Sequence, residues 1–270
     1  MTQREPSTHV DVAVRSWRRA PLAAIAWLGP DGTPDIASVS PLTDGDRPLL
    51  ALPYARLALA RALEVSSEVV LAVTSLPDGV DDPPVTVRGR AEVSEDPKGD
   101  RFHDSGLIDL ELAKYPASRR RLDSLLLRRE HWWFLPRLLI TIGGLGGARV
   151  IATDDALLVG GGTSLDVGSC HLESRDPLAL RVADGVVGPL GRDHPGSRPA
   201  VVFEHGGDLP ELERPWERRW TGTLIDRRFE TGSVSGGGPQ HRALTLRQRM
   251  RAEKQLERAC KAGLRAAGHT

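Results

Sequence analysis

Trp132 and Trp133 stand side by side, with Arg137 four positions on, in a chain of only six tryptophans, two tyrosines and four phenylalanines. Such a pair can place one ring in the core and the other over a planar ligand, or pack both between neighbouring segments. Ser38 and Ser40 lie two apart in a run that alternates apolar and small polar residues, so their hydroxyls share a face. That face either hydrogen-bonds a ligand or fits small residues against a neighbouring sheet. Tyr54, Arg56 and Arg61 bring a phenol and two guanidiniums close together, for binding an anion or as a solvated helix face. Thr74 and Ser75 close an apolar run and add two more hydroxyls. This is binding chemistry; the pattern names no catalytic acid or base.

Other chemistries are excluded or weak. Cys170 and Cys260 are far apart and have no companion at metal spacing, which fits a reducing cytoplasm and argues against a zinc site or disulfide framework. Glu204 and His205 lack a second histidine at metalloprotease spacing, and no G-x-S-x-G elbow occurs. Gly144-Leu145-Gly146 is followed by a β-rich stretch rather than a helix, so it is not a dinucleotide loop. The balance of 36 basic against 36 acidic residues argues against a nucleic-acid partner held by bulk charge. Only Lys98, Lys114, Lys254 and Lys261 are lysines, an arginine bias that matches a GC-rich genome. The N-terminus lacks an apolar signal core and no apolar run approaches the ~18 residues of a membrane span, so a soluble cytoplasmic protein is expected.

The elements that must carry these residues read mainly as strands. Leu22–Leu28 and Ile36–Leu42 flank a Gly-Pro-Asp-Gly turn and predict a hairpin. Pro48–Leu52, Val69–Val73 and Val85–Val93 follow as strands, and Ala55–Leu63 as a short helix between the first two. Residues 100–130 carry leucines among charges and predict a helical insertion broken at Pro116. A strand follows at Arg137–Ile142, and the glycines from Gly143 to Gly147 mark a boundary or tight turn.

The second half repeats this order at an offset of 129 to 133 positions. Pro177–Val182 resembles Pro48–Leu52, Ala200–Glu204 matches Val69–Val73, and Thr221–Asp226 matches Arg88–Val93. Residues 1–142 and 143–229 are thus expected to form two related units, the second degenerate. By composition 230–240 is a flexible loop. Residues 241–270 predict a helix, with Leu246, Met250, Leu256, Cys260 and Leu264 on one face.

The series from DGTPDIASVSPL through EVVLAV to VTVRGRAEVSED resembles the pyridoxamine-phosphate-oxidase-like, flavin-binding split-barrel superfamily, as do Gly89-Arg90-Ala91 and Trp133-Phe134-Leu135-Pro136-Arg137. The resemblance implies a mainly β (α+β) fold: a split β-barrel, here two tandem barrel repeats with a helical insertion and a C-terminal helix. It implies FMN or a deazaflavin coenzyme held between two barrels, a small-molecule redox substrate, and a monomeric pseudo-dimer or a homodimer. Ser38, Ser40, Tyr54, Arg56, Arg61, Thr74, Ser75, Trp132, Trp133 and Arg137 are the cofactor-binding candidates it selects. Two positions depart from the pattern: the serine and lysine that usually grip the flavin phosphate fall on Leu57 and Leu59. The function implied first is a flavin- or deazaflavin-binding oxidoreductase of unknown substrate, and a non-enzymatic binder that has lost this grip is the alternative. A haem-binding relative, resting on His131, His171 and the tryptophans, is a further one.

Overall fold

The computed structural model describes residues 9–77, 79–115, 132–152, 156–176, 178–182, 196–207, 215–225, 228–239 and 244–269. The first sheet contains β1 (Ala23–Leu28), β2 (Pro34–Val39), β3 (Leu42–Asp44), β4 (Arg47–Pro53), β5 (Val69–Val73), β6 (Val85–Asp96) and β7 (Arg137–Val150). Its order is β2-β1-β5-β6-β7-β4-β3, and the pairings are antiparallel. The expected β1–β2 hairpin forms, closed by Gly29 N–H to Thr33 O at 2.8 Å, with Gly32 at φ 77° where a side chain would be strained. The chain steps from β2 directly into β3 although these strands are the sheet's two edges, so the sheet curls into a half-barrel. One side of it buries Ile25, Leu50, Leu71, Val87 and Ile140 beneath helix α2 (Leu57–Val65).

The second sheet contains β8 (Ala156–Gly160), β9 (Asp166–Arg175), β10 (Leu178–Val182), β11 (Arg198–Gly206), β12 (Trp216–Ile225) and β13 (Arg228–Gly236), in the order β10-β9-β8-β11-β12-β13. Five of its strands, β9-β8-β11-β12-β13, take the same order as β2-β1-β5-β6-β7. The registers agree as well. Asp35 faces Trp27, which faces Val69, which faces Gly89; Asp166 faces Gly160, which faces Ala200, which faces Gly222. Both glycines lie beside a register shift against the next strand.

The two sheets pack face to face through these equivalent residues. Ala24, Ala26, Ile36, Val70 and Ala72 share one buried cluster with Leu157, Val159, Val167, Val201 and Phe203, their register counterparts in the same sequence. The first half contributes mostly small side chains and the second mostly large ones. Small side chains set against large ones fill the space between the sheets.

The structure corrects several expectations. Pro177–Val182 does not copy the strand around Pro48–Leu52: β4 pairs with β7, whereas β10 pairs with β9 at the opposite edge. Gly143–Gly147 neither turn nor end the strand, for β7 runs on to Val150. Gly144 and Gly147, at φ 61° and 56°, let it bulge against β6 and continue. The stretch 230–240 is not a loop up to Gly236, because β13 pairs along β12 there despite its glycines and serines.

The helical insertion holds α3 (Asp100–Asp104) and α4 (Leu107–Lys114), whose Phe102, Leu107 and Ile108 pack on Leu42, Leu49 and Leu139. Pro116, Leu122, Leu125 and Leu126 lie outside the described residues.

Helix α1 (His9–Arg19) was not foreseen, and it buries Trp17, whose indole N–H donates to Leu42 O at 2.7 Å. The C-terminal helix, α5 (Leu246–Ala266), starts at a Thr245–Gln248 capping box. Of its expected apolar face, Cys260 is buried and Leu256 and Leu264 pack on the protein, but Leu246 and Met250 are exposed. No helix among the described residues is long and apolar enough to cross a membrane.

Candidate functional site at the seam between the sheets

The polar rim of the interface between the sheets is crossed by paired charges. Asp35 on β2 meets Arg219 on β12 at 3.3 Å, and Asp166, in the equivalent register on β9, meets Arg88 on β6 at 3.8 Å. Each half therefore gives an aspartate to, and takes an arginine from, the other; the aspartates are equivalent, whereas Arg219 stands in the register of Thr86 and Arg88 in that of Thr221. Thr74 and His205 are also equivalents, 131 positions apart, and touch each other with Oγ1 and Nε2 at 3.3 Å.

The first seam has further groups. Glu217, two before Arg219 and on the same face of β12, accepts from the Ser38 N–H at 3.2 Å and the Ser38 hydroxyl at 2.9 Å. Arg219 donates to the other Glu217 oxygen at 2.7 Å. Arg56 reaches across from the start of α2 to donate to Ser38 O at 2.7 Å. Burial lowers the Arg56 guanidinium from its ordinary value, with Glu217 pulling it up and Arg219 pushing it further down. His205 stacks on Phe203 with ring centroids 5.2 Å apart. Burial lowers its imidazole to about 4, against a smaller upward pull from Glu217, so it is neutral near pH 7. His205 Nδ1 and Arg219 Nε are buried without a hydrogen-bond partner among the described residues.

The structure thus brings Ser38, Arg56 and Thr74 to one seam and leaves the other candidates elsewhere. Ser40 lies beyond the end of β2, and Ser75 is exposed. Arg61 is exposed and paired with Glu64 and Glu95, both at 2.9 Å. Tyr54 is buried against the C-terminal segment, its ring edge-on to His269 and its hydroxyl 3.5 Å from Glu95. Trp133 is buried with Phe134 and Cys260 beneath α5, which answers its stacking reading with packing. Trp132 lies in the same short turn, Trp132–Phe134. Arg137 is buried between the rings of Phe102 and Phe134 and pairs with Glu111 at 3.4 Å, which ties the insertion to β7. His131 lies outside the described residues, and His171 is exposed on β9.

Leu57 and Leu59, where the family pattern would place the phosphate grip, pack against the first core instead. The adjoining turn, Tyr54–Arg56, is covered by α5, which passes so closely at Gly263 that a Cβ there would lie 2.0 Å from Tyr54 O. His269 Nε2, just past the helix, sits 2.5 Å from Glu95 Oε2 and latches this end down. The residues present therefore do not fit a flavin phosphate at the usual place.

Sequence reasoning missed Glu217, Arg219, Asp35 and the role of His205. One signal was available: in Trp216-Glu-Arg-Arg-Trp220, Glu217 and Arg219 alternate with the tryptophans and so share a face.

Comparison with solved structures finds neighbours at low identity and low TM-score. A haem-binding protein from Mycobacterium smegmatis is 15% identical, with 96% of this chain and 100% of that one covered at a TM-score of 0.34. An F420 reductase is 19% identical over 50% of this chain and 94% of its own, at 0.34. A pyridoxinephosphate oxidase family protein from Clostridium acetobutylicum, related to general stress protein 26, is 11% identical over 50% and 84%, at 0.31. Its structural neighbours are split-barrel proteins of the pyridoxamine-phosphate-oxidase-like kind, at low identity. No family model and no curated protein matches the chain.

Proposed function

We propose that this chain is a non-enzymatic split-barrel binding protein, two tandem barrel units in one chain, that holds a small ligand at the seam between its halves. In this reading it no longer grips a flavin by the phosphate. The observation that carries the proposal is the fate of the phosphate position. Leu57 and Leu59 are partly buried against the core, and α5 lies over the turn that precedes them. An apolar side chain cannot offset a phosphate's charge, and Arg61 is already paired with two glutamates. Titration of the purified chain with FMN, the deazaflavin coenzyme and haem tests this. The proposal expects no binding of any of them in the micromolar range, and saturable binding of FMN at that level overturns it.

A second reading, a flavin- or deazaflavin-dependent oxidoreductase of unknown substrate, keeps one specific support. Ser38, Arg56 and Thr74 do converge, beside buried His205 Nδ1 and Arg219 Nε atoms that lack partners among the described residues. The same titration decides between the two.

A further inference from the structure

Three donors converge on one carboxylate at the first seam. The Ser38 N–H and hydroxyl reach one Glu217 oxygen at 3.2 and 2.9 Å, and Arg219 reaches the other at 2.7 Å. The Arg56 guanidinium stands behind Ser38, within electrostatic range of the same carboxylate. β2 is an edge strand paired only with β1, so an outward N–H such as that of Ser38 has no ladder partner and must find one elsewhere. A free backbone N–H, a hydroxyl and two guanidiniums form a general oxyanion cradle.

We infer that this cradle is an oxyanion subsite which Glu217 fills from within, and which a ligand bearing a carboxylate or phosphate group enters by displacing the Glu217 side chain.

The second seam separates this from the simpler idea that Glu217 only fastens the halves together. Ser169 stands in the register of Ser38, opposite Leu157 as Ser38 stands opposite Ala24. Among the described residues its hydroxyl has no hydrogen-bond partner, a carboxylate included. In the register of Glu217, two positions before the residue that matches Arg219, the first half has Pro84. That seam nevertheless holds its ion pair, Asp166 with Arg88. Both seams carry a crossing from an equivalent aspartate to an arginine, though the arginines stand two register positions apart, and Glu217 is an addition to one of them. About a third of its side chain is exposed, so an incoming anion can reach it.

The inference rests on the seam being the binding site, and its test is independent of flavin. Glu217→Ala and Glu217→Gln are titrated with inorganic phosphate and, separately, with acetate, following the Ser38 amide resonance, and compared with the unaltered chain. Ten-fold or tighter binding of one of these anions by Glu217→Ala, with a shifted Ser38 amide and loss of the gain in Glu217→Ala/Arg219→Ala, supports the subsite. The anion that gains shows which head group it takes. Equal or weaker binding of both anions overturns it. If both single variants unfold, Glu217 is a fastening and the subsite is likewise overturned. FMN binding by the unaltered chain would sink the proposed function and leave this result standing.

Discussion

Thr74 and His205 hold the same position in the two halves of the protein and contact each other, Oγ1 to Nε2, at 3.3 Å. Two equivalent residues can meet only near an axis that exchanges their halves, so this contact marks the centre of the seam. The aspartate–arginine pairs to either side use equivalent aspartates with arginines two register positions apart, and they also differ in burial.

That difference predicts unequal mutational costs. Asp166 is 1% exposed and also bonded by Arg149, whereas Asp35 is 44% exposed. Removing one partner of a buried pair leaves uncompensated charge and costs about 3–5 kcal/mol. An exposed pair contributes about 0–1 kcal/mol. Urea denaturation of Asp166→Asn and Asp35→Asn should show the first far less stable and the second close to the unaltered chain. Equal midpoints would mean the pairs do not fasten the halves.

His205 gives the seam a pH signature. Its imidazole is lowered to about 4 when folded, from the ordinary 6.5, so between these values the unfolded chain binds the extra proton. Stability contributed by neutral His205 is complete above about pH 6.5 and falls as pH drops towards 4, by about 3 kcal/mol in full. Glu217 and Thr74 are the polar groups that face it. Chemical denaturation from pH 7.5 to 4 should show this loss, and His205→Gln should flatten the slope across the window. An unchanged slope in that variant would assign the acid sensitivity to other groups.

Gly263 predicts how α5 is held. A methyl group there would meet Tyr54 O at 2.0 Å, and the obstructing atom is backbone, which yields little. Gly263→Ala should lift the helix end, expose the segment around Leu264 to limited proteolysis, and cost about 1–3 kcal/mol. Cleavage at the unaltered rate would show that the helix is anchored elsewhere.

These features were unevenly legible in the sequence. The apolar runs at Val69–Val73 and Ala200–Glu204 announced themselves because central strands buried on both faces need continuous β-branched residues. Helix α1 did not, since its buried face amounts to Ala13, Ser16 and Trp17 within a charged stretch. β13 was hidden by glycines and serines, which an exposed edge strand tolerates because its pairing is with backbone. The bond from Ser38 to Glu217 joins residues 179 positions apart, and spacing alone cannot register such a contact. Arg137 was noticed for its charge and aromatic neighbours, and the structure shows both engaged in packing the insertion.

The measurement closest to the central claim is the absorption spectrum of the chain purified from a host that makes both flavin and deazaflavin coenzymes. A colourless protein, with no band from either ring system, is the predicted result, since Leu57 and Leu59 offer a phosphate nothing to hold. A stoichiometric flavin or deazaflavin band would contradict the account and require that the phosphate be held by groups other than those at the start of α2.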